Sequence, residues 1–260
     1  MNQVEELIGQ WRDKKISGTS LMRGLVSYAG WDVPVSEAAV GEALASNAAP
    51  SLQLSTAPDG AICLLIFSSS ETMTRYRNSI GAKGDQHFLS VRGTWVFHLT
   101  LDKVDKIWID GGSAHDIFYG KEQFRALRDM AEAIKVEEAL VGLRKGTAPD
   151  NAIQTAKEYK NYYLPVAVKD NKPSFIMAPD QQGRALAAAF TSDDTFDAFA
   201  PEAREMAGGA EVQQMQIDGE ALFDAFQRMS IDGFVFNCAG PIAPIAFQQA
   251  AAGIFLDGKG

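Results

Sequence analysis

Residues 52–80 read LQLSTAPDGAICLLIFSSSETMTRYRNSI, and residues 175–203 read FIMAPDQQGRALAAAFTSDDTFDAFAPEA. The two segments align without a gap at a constant shift of 123 positions, so that Phe67 matches Phe190. At aligned positions where the two segments differ, an apolar residue in one segment mostly aligns with an apolar residue in the other. Self-similarity at a fixed shift predicts two copies of one structural unit.

The repeated segment has the pattern of a strand, a turn, a second strand and a helix. Leu52 and Leu54 alternate with polar residues, which is typical of a half-buried strand, and residues 57–60 are turn formers. Residues 62–67 are apolar at every position, which predicts a central strand with Phe67 in the core. Ser68 and the hydroxyls after it then predict a helix N-cap.

The similarity extends to both sides of this segment. Residues 104–110, VDKIWID, correspond to residues 231–237, IDGFVFN, and each predicts a short strand that ends in a turn. Upstream, residues 31–35, WDVPV, resemble residues 162–166, YYLPV. Proline cannot donate a ladder hydrogen bond, so we predict that both of these upstream strands lie at sheet edges.

Apolar stripes at helical spacing complete each module. One stripe runs over residues 4–11, and another runs from residue 124 to residue 143, before a polar break at residues 145–150. The predicted domains are therefore residues 1–146 and residues 147–260. The predicted fold class is α/β, with α+β as the alternative, built from two diverged repeats of a small mixed-sheet module with flanking helices.

Composition limits the function classes. The chain of 260 residues has a formal net charge of -9, and its acidic and basic residues are mixed, so we expect no nucleic-acid partner. No apolar run is long enough to span a bilayer and the first residues lack a signal-peptide pattern, so we expect a cytoplasmic protein without a membrane partner. Cys63 and Cys238 are far apart, and Cys63 is predicted to be a small buried hydrophobe.

The second copy resembles a known family. Residues 163–166, 189–192 and 233–241 together are similar to the SseB-type domain of bacterial proteins named for enhanced serine sensitivity. The first copy resembles a more degenerate version of the same domain. The resemblance implies a bacterial, cytoplasmic α/β protein with tandem domains. It supplies no catalytic residues, because the family has none established.

Histidine is too sparse to indicate a metal site. His87, His98 and His115 are the three histidines, and the predicted loops would allow a cluster of the last two with Asp110. Zinc sites usually show paired ligands at short spacing, and the second copy has no histidine. We therefore predict no metal and no other cofactor.

Hydroxyl groups offer a second candidate chemistry. Ser68, Ser69, Ser70 or Ser113 could act as a nucleophile if His115 or His98 served as its base. The nucleophile-elbow pattern G-x-S-x-G is absent, and so are the glycine-rich phosphate loops. A helix cap and a tight turn explain these serines more simply.

Paired acidic residues offer a third candidate chemistry. Asp102 with Asp105, and Asp193 with Asp194, would need to meet in a pocket with shifted pKa values to act in acid–base catalysis. Helix caps and solvated faces are the simpler interpretation.

Three functions remain open. The leading hypothesis is a non-enzymatic binding or regulatory protein for an unknown small molecule or protein. The alternative is an enzyme of unrecognised type with a pocket at the strand-end loops of the first copy, because ligands gather beyond strand ends in α/β sheets. The third is a homo-oligomeric scaffold that uses edge strands. The candidate binding residues are Ser68, Ser69, Ser70, Asp110, Ser113 and His115.

Overall fold

The computed structural model describes residues 2–36, 52–57, 59–82, 87–99, 103–148, 150–179, 182–229 and 231–248. The chain divides into two compact units, Met1–Ala131 and Glu132–Gly260. Helices and mixed sheets occur in both units, so the fold class is α/β, as predicted. Asp102, one of the paired acids considered above, lies outside the described residues.

The first unit combines a four-stranded mixed sheet with a two-stranded antiparallel sheet. Its elements are α1 (Gln3–Arg12), α2 (Gly18–Ser27), β1 (Trp31–Val35), β2 (Leu54–Thr56), β3 (Ile62–Ile66), α3 (Ser70–Ser79), β4 (His87–Val91), α4 (Gly93–Val96), β5 (Lys106–Ile109), β6 (Ile117–Gly120) and the start of α5 (Lys121–Lys145). The larger sheet has the order β2-β3-β5-β6, in which β3 and β5 are parallel. The smaller sheet pairs β1 with β4.

The second unit has the same arrangement of its four-stranded sheet. Its elements after α5 are α6 (Ala152–Glu158), β7 (Tyr162–Lys169), β8 (Lys172–Phe175), β9 (Met177–Pro179), β10 (Ala185–Ala189), α7 (Asp193–Met206), β11 (Glu211–Ile217), α8 (Gly219–Arg228), β12 (Gly233–Phe236) and β13 (Ile245–Gln248). The mixed sheet has the order β9-β10-β12-β13, in which β10 and β12 are parallel. A second sheet has the order β11-β7-β8.

The register of the central parallel strands is also the same in the two units. Leu65 pairs with Trp108 in the first unit, and Ala188 pairs with Val235 in the second. These four residues occupy the positions that the sequence alignment makes equivalent. The two units can therefore be compared residue by residue along these strands.

Burial of the central strands agrees with their apolar pattern. Phe67 and Phe190 are 1% and 0% exposed, which confirms that both are core residues. The ring of Phe190 lies 5.6 Å from that of Phe196 and 5.3 Å from that of Phe199, between centroids. Cys63 is 2% exposed, so the prediction that it is buried is confirmed as well.

The prediction of an edge position for both proline-containing strands is wrong in the second unit. There, β7 lies between β11 and β8. The carbonyl of Pro165 accepts the N–H of Ile176 at 3.0 Å, just beyond the last β7–β8 pair. The N–H and C=O of a strand residue face the same neighbour. The missing donor of Pro165 therefore faces Ile176, just past the end of β8, and not β11, so the β7–β11 pairing loses no hydrogen bond to the proline.

The division between the units falls inside α5, whereas the predicted boundary follows Gly146 at the end of that helix. The second half of α5 contributes Ala133, Val136 and Leu140 to the buried core of the second unit. In the first unit, α1 supplies buried Val4 and Ile8. In both units, therefore, one helix (α1 or the second half of α5) comes before a second helix (α2 or α6) and the strand that follows it (β1 or β7).

Two glycines mark a close backbone approach that both units share. The N–H of Gly93 donates to the carbonyl of Tyr28, and that of Gly219 donates to the carbonyl of Tyr159, each at 2.7 Å. A Cβ at Gly93 would lie 2.3 Å from the carbonyl oxygen of Val26, and one at Gly219 would lie 2.4 Å from a helix carbonyl. Only glycine fits at these two contacts.

Candidate functional site

Ser68 and Asp110, which come directly after the parallel strands β3 and β5, are in contact in the structure. Both the N–H and the hydroxyl of Ser68 donate to the Asp110 carboxylate, at 2.7 Å and 2.5 Å. The Asn2 side-chain amide donates to the Ser68 hydroxyl at 2.7 Å. We call these three side chains the first junction. They form a chain from amide to hydroxyl to carboxylate.

The carboxyl group of Asp110 is completely buried, and its backbone has a φ of 49°. Burial raises the pKa of Asp110 above its usual value, and the hydrogen bonds from Ser68 and Thr72 oppose this rise. The carboxylate is therefore held at a cost in solvation that the donors partly offset.

The second unit contains the same three kinds of group linked by hydrogen bonds, but the amide and the carboxylate have exchanged places. The amide of Asn237 donates to the hydroxyl of Thr191 at 3.0 Å, and that hydroxyl donates to the carboxylate of Glu137 at 2.5 Å. We call these three side chains the second junction. Asn237 occupies the position of Asp110 and also has a positive φ, of 52°. The carboxylate is that of Glu137 on α5. In the first unit, the group contributed from a helix is instead the amide of Asn2, at the N-terminus of α1.

The two junctions hold the strand ends against the helices. The hydroxyl of Tyr28 donates to the Ser68 carbonyl at 2.8 Å, and that of Tyr159 donates to the Thr191 carbonyl at 2.5 Å. Because both units keep one amide, one hydroxyl and one carboxylate here, the shared role is to satisfy buried polar groups. The first junction thus has a structural explanation that does not require a ligand.

The remaining predicted site residues lie around this junction. Ser69 caps α3, its hydroxyl accepting the N–H of Thr72 at 3.2 Å, and Ser70 is the first residue of that helix. The hydroxyl of Ser113 accepts the backbone N–H of His115 at 3.1 Å. The ring atom Nδ1 of His115 is buried and has no hydrogen-bond partner among the described residues. The Ser113 hydroxyl is therefore hydrogen-bonded to the backbone of His115.

The described residues contain neither a grouped set of metal ligands nor a membrane-spanning helix. Over the described ranges, no group of three or more His, Cys, Asp or Glu side chains is placed to hold a metal ion. In that part of the chain, no helix is both long enough and apolar enough to cross a bilayer.

A cleft of about 260 Å³ opens on one face of the β2-β3-β5-β6 sheet. We call it the first-unit cleft. Its lining residues are Ala57, Asp59, Cys63, Lys106, Trp108 and Phe118. Side chains alternate between the faces of a strand, so Cys63 and Leu65 share this face. Leu65 lies under α3 in a buried cluster with Phe67, Met73, Tyr76 and Trp108.

Two aromatic rings line the first-unit cleft. Trp108 and Phe118 are direct cross-strand partners on β5 and β6. The indole N–H of Trp108 donates to the carboxylate of Asp116 at 3.3 Å, which fixes the ring, and Tyr76 packs edge-on against it at 6.0 Å. Phe118 is 63% exposed. An exposed aromatic ring beside a fixed one is a surface that an apolar ligand can cover.

Lys106 and Asp59 form the charged end of the cleft. They are joined by an ion pair, and Asp59 also accepts the N–H of Ala61 at 3.1 Å. The ammonium of Lys106 lies 5.7 Å from the centroid of the Phe118 ring. The hydrogen bond between the partners raises the pKa of Lys106 and lowers the pKa of Asp59, so both stay charged at neutral pH.

Cys63 lies in the lining of the cleft, on β3. Burial raises the pKa of its thiol, an effect that the nearby Lys106 charge only partly opposes. The neutral thiol is a poor nucleophile, because the thiolate is the reactive form. Cys63 therefore serves the cleft as an apolar surface.

The lining of the first-unit cleft has no counterpart at equivalent positions of the second unit. By strand register, the positions of Cys63, Lys106, Trp108 and Phe118 are occupied there by Leu186, Gly233, Val235 and Ala246. The helix over this face is also longer in the second unit, where α7 has 14 residues against 10 in α3. Four helical residues span roughly 6 Å of sheet.

Sequence reasoning missed the cleft residues as a site. A signal for them was present, because Lys106 and Trp108 stand where the second copy has Gly233 and Val235. The first unit thus has a charged and an aromatic residue where the second unit has a glycine and an aliphatic residue. The pairing with Asp59, 47 positions upstream in the chain, requires the structure.

Comparison with known proteins adds little to these observations. No protein-family model matches the chain, and no curated protein matches it. Among solved structures, the chain is similar to Anabaena Tic22, a protein described as acting in protein transport. The identity is 11%, the match covers 83% of this chain and 88% of that chain, and the TM-score is 0.21.

Proposed function

We propose that this chain is a non-enzymatic binding protein whose ligand site is the first-unit cleft. The observation that carries the proposal is the combination of Trp108, Phe118 and the Lys106–Asp59 ion pair around 260 Å³ of open space. Ligand sites are typically concave and apolar, with a few polar groups that set orientation. This cleft has that composition.

The absence of an activated group favours binding over catalysis at this site. Cys63, a lining residue with a potential nucleophile, has a raised pKa. The Lys106 ammonium is held in its charged form by Asp59, so it is a poor base. Binding and orientation are the chemistry that these groups can perform.

We further propose that the two units descend from one SseB-like module in a bacterial cytoplasmic protein. The equal strand order and the equal central register support a duplication. In such a protein, one copy can keep the fold while the other acquires a ligand site. The cleft in the first unit fits that division of roles.

Thermal-shift assays with small aromatic compounds test the proposed function. We expect indole, 3-phenylpropanamide or 3-phenylpropionate to raise the melting temperature of the full chain, because a ligand that binds only the folded state stabilises it. Phe118→Ala should abolish the increase. This substitution places at position 118 the residue type that the second unit has at Ala246.

Phe175→Ala is the matched control, because Phe175 is a 40% exposed aromatic residue of the second unit. This variant should respond to the compounds like the parent chain. An unchanged melting temperature with all three compounds would contradict the proposal. An equal response of the parent chain and Phe118→Ala would contradict it as well.

A further inference from the structure

The charged groups around the first-unit cleft differ in how many of their hydrogen-bonding positions are already occupied. Each Asp59 carboxylate oxygen accepts a hydrogen bond, one from Ala61 and one from Lys106. Asp105, beside Lys106 in sequence, accepts the Ile62 N–H and pairs with Lys121, both at 2.8 Å. The acidic groups near the cleft thus already have donors.

Lys106 retains capacity for a further acceptor. An ammonium group has three N–H donors, and the Asp59 pair uses one of them. The Lys106 side chain is 31% exposed, lines the cleft and lies over the Phe118 ring. Asp59 is more exposed, at 57%. Both groups line the cleft, so a ligand there can contact the Lys106 ammonium as well as the Asp59 carboxylate.

Size restricts the ligand further. A volume of 260 Å³ corresponds to about nine water molecules at roughly 30 Å³ each. A molecule of about ten non-hydrogen atoms fills such a space. Trp108 and Phe118 contribute aromatic rings to its lining, and ring surfaces favour a planar apolar body.

We infer that the first-unit cleft binds a small monocarboxylate with an aromatic body, whose carboxylate accepts hydrogen bonds from Lys106 while its ring packs against Trp108 and Phe118. The inference rests on the proposed function, to which it adds the ligand class. The carboxylate joins Asp59 on the ammonium and does not replace it. The ring covers the exposed face of Phe118.

Calorimetric titration of the full chain with 3-phenylpropionate and with its amide, 3-phenylpropanamide, tests the inference. The two compounds have nearly the same shape and differ in charge. Hydrogen bonds to an ionised acceptor are roughly twice as strong as neutral ones, so we expect the acid to bind about tenfold more tightly than the amide. Lys106→Met keeps the apolar stem and should remove this difference.

Two further variants test whether the nearby charges of Lys121 and Asp59 contribute to binding of the carboxylate. Lys121→Met removes a nearby cation that is not part of the cleft lining, and it should preserve the difference between acid and amide. Asp59→Asn should leave the affinity for the acid unchanged or increase it, because a competing anion is removed. Circular dichroism and melting temperature establish that each variant is folded.

Each outcome bears on one claim or both. If acid and amide bind equally, or if Lys106→Met keeps their difference, the carboxylate inference is overturned while the cleft remains a binding site. Weaker acid binding by Asp59→Asn would also overturn it, because it would point to a ligand that needs the anion. If neither compound nor indole binds, the proposed function fails together with the inference.

Discussion

The amide and the carboxylate occupy exchanged positions in the two junctions. We therefore predict that the carboxylate of the first junction can change places with its amide. The exchange is made by Asn2→Asp together with Asp110→Asn, which reproduces in the first junction the direction found in the second, where Glu137 holds the carboxylate. Aspartate is as good an N-cap as asparagine, so the cap of α1 is kept. We expect the double variant to lose about 1 kcal/mol or less.

The single substitutions should each cost more than the pair. Asp110→Asn leaves the Ser68 hydroxyl without a carboxylate acceptor, which costs about 1–3 kcal/mol. Asn2→Asp places two carboxylates on the same hydroxyl, whose present bonds to Asn2 and Asp110 are 2.7 Å and 2.5 Å long. Like charges roughly 5 Å apart repel by about 3 kcal/mol at an effective dielectric of about 20. The coupling between the two substitutions should therefore reach about 2 kcal/mol or more.

Urea unfolding followed by tryptophan fluorescence measures this cycle. All four tryptophans, Trp11, Trp31, Trp95 and Trp108, belong to the first unit, so the signal reports on the unit that carries both substitutions. If the cost in the double variant equals the sum of the single costs within about 0.5 kcal/mol, the two groups do not act through one hydroxyl. That result would refute the account of the junction.

The fold and the buried carboxylate lead to three further predictions. Because the pKa of Asp110 is raised, the folded state holds its proton more tightly, and parent stability falls as pH rises from about 4 through the folded pKa. The cost of Asp110→Asn should therefore shrink over that range in urea titrations; a cost independent of pH would contradict this. Phe190→Ala should lose about 3–5 kcal/mol by urea unfolding followed by circular dichroism, and a loss below about 1 kcal/mol would be inconsistent with its burial. Gly93→Ala should cost about 2 kcal/mol or more because of the Val26 carbonyl, whereas Gly9→Ala, with open space around it, should be neutral or stabilising; equal effects would argue against the contact.

Local patterns predicted the central part of the fold because β3 and β10 are buried at every position after their first residue. The unbroken apolar run 62–67 indicated a central strand, and the serines at 68–70 indicated a helix cap, which the structure places at Ser69. The carboxyl ends of neighbouring parallel strands meet at one sheet edge, so Ser68 and Asp110 were placed in one candidate site, and the structure brings them into contact. These features depend on near neighbours in sequence.

Other features depend on tertiary partners and could not be predicted in this way. The edge prediction failed for Pro165 because a proline can occupy an inner strand where its ladder ends, and that depends on the length of the neighbouring strand. The reversal of the junctions requires Asn2 and Glu137 to reach hydroxyls that are far away in sequence. The cleft similarly depends on where α3 ends over the sheet.

Nuclear magnetic resonance of the four indole N–H groups tests the central claim, that the first-unit cleft is the ligand site. The full chain labelled with nitrogen-15 is titrated with 3-phenylpropionate and, separately, with 3-phenylpropanamide, after the signals have been assigned with Trp108→Phe. We predict a saturable shift of the Trp108 signal, because its ring lines the cleft, and an unchanged signal from Trp31, which is fully buried elsewhere. No saturable shift of Trp108 with either compound, or an equal shift of Trp31, would contradict the claim.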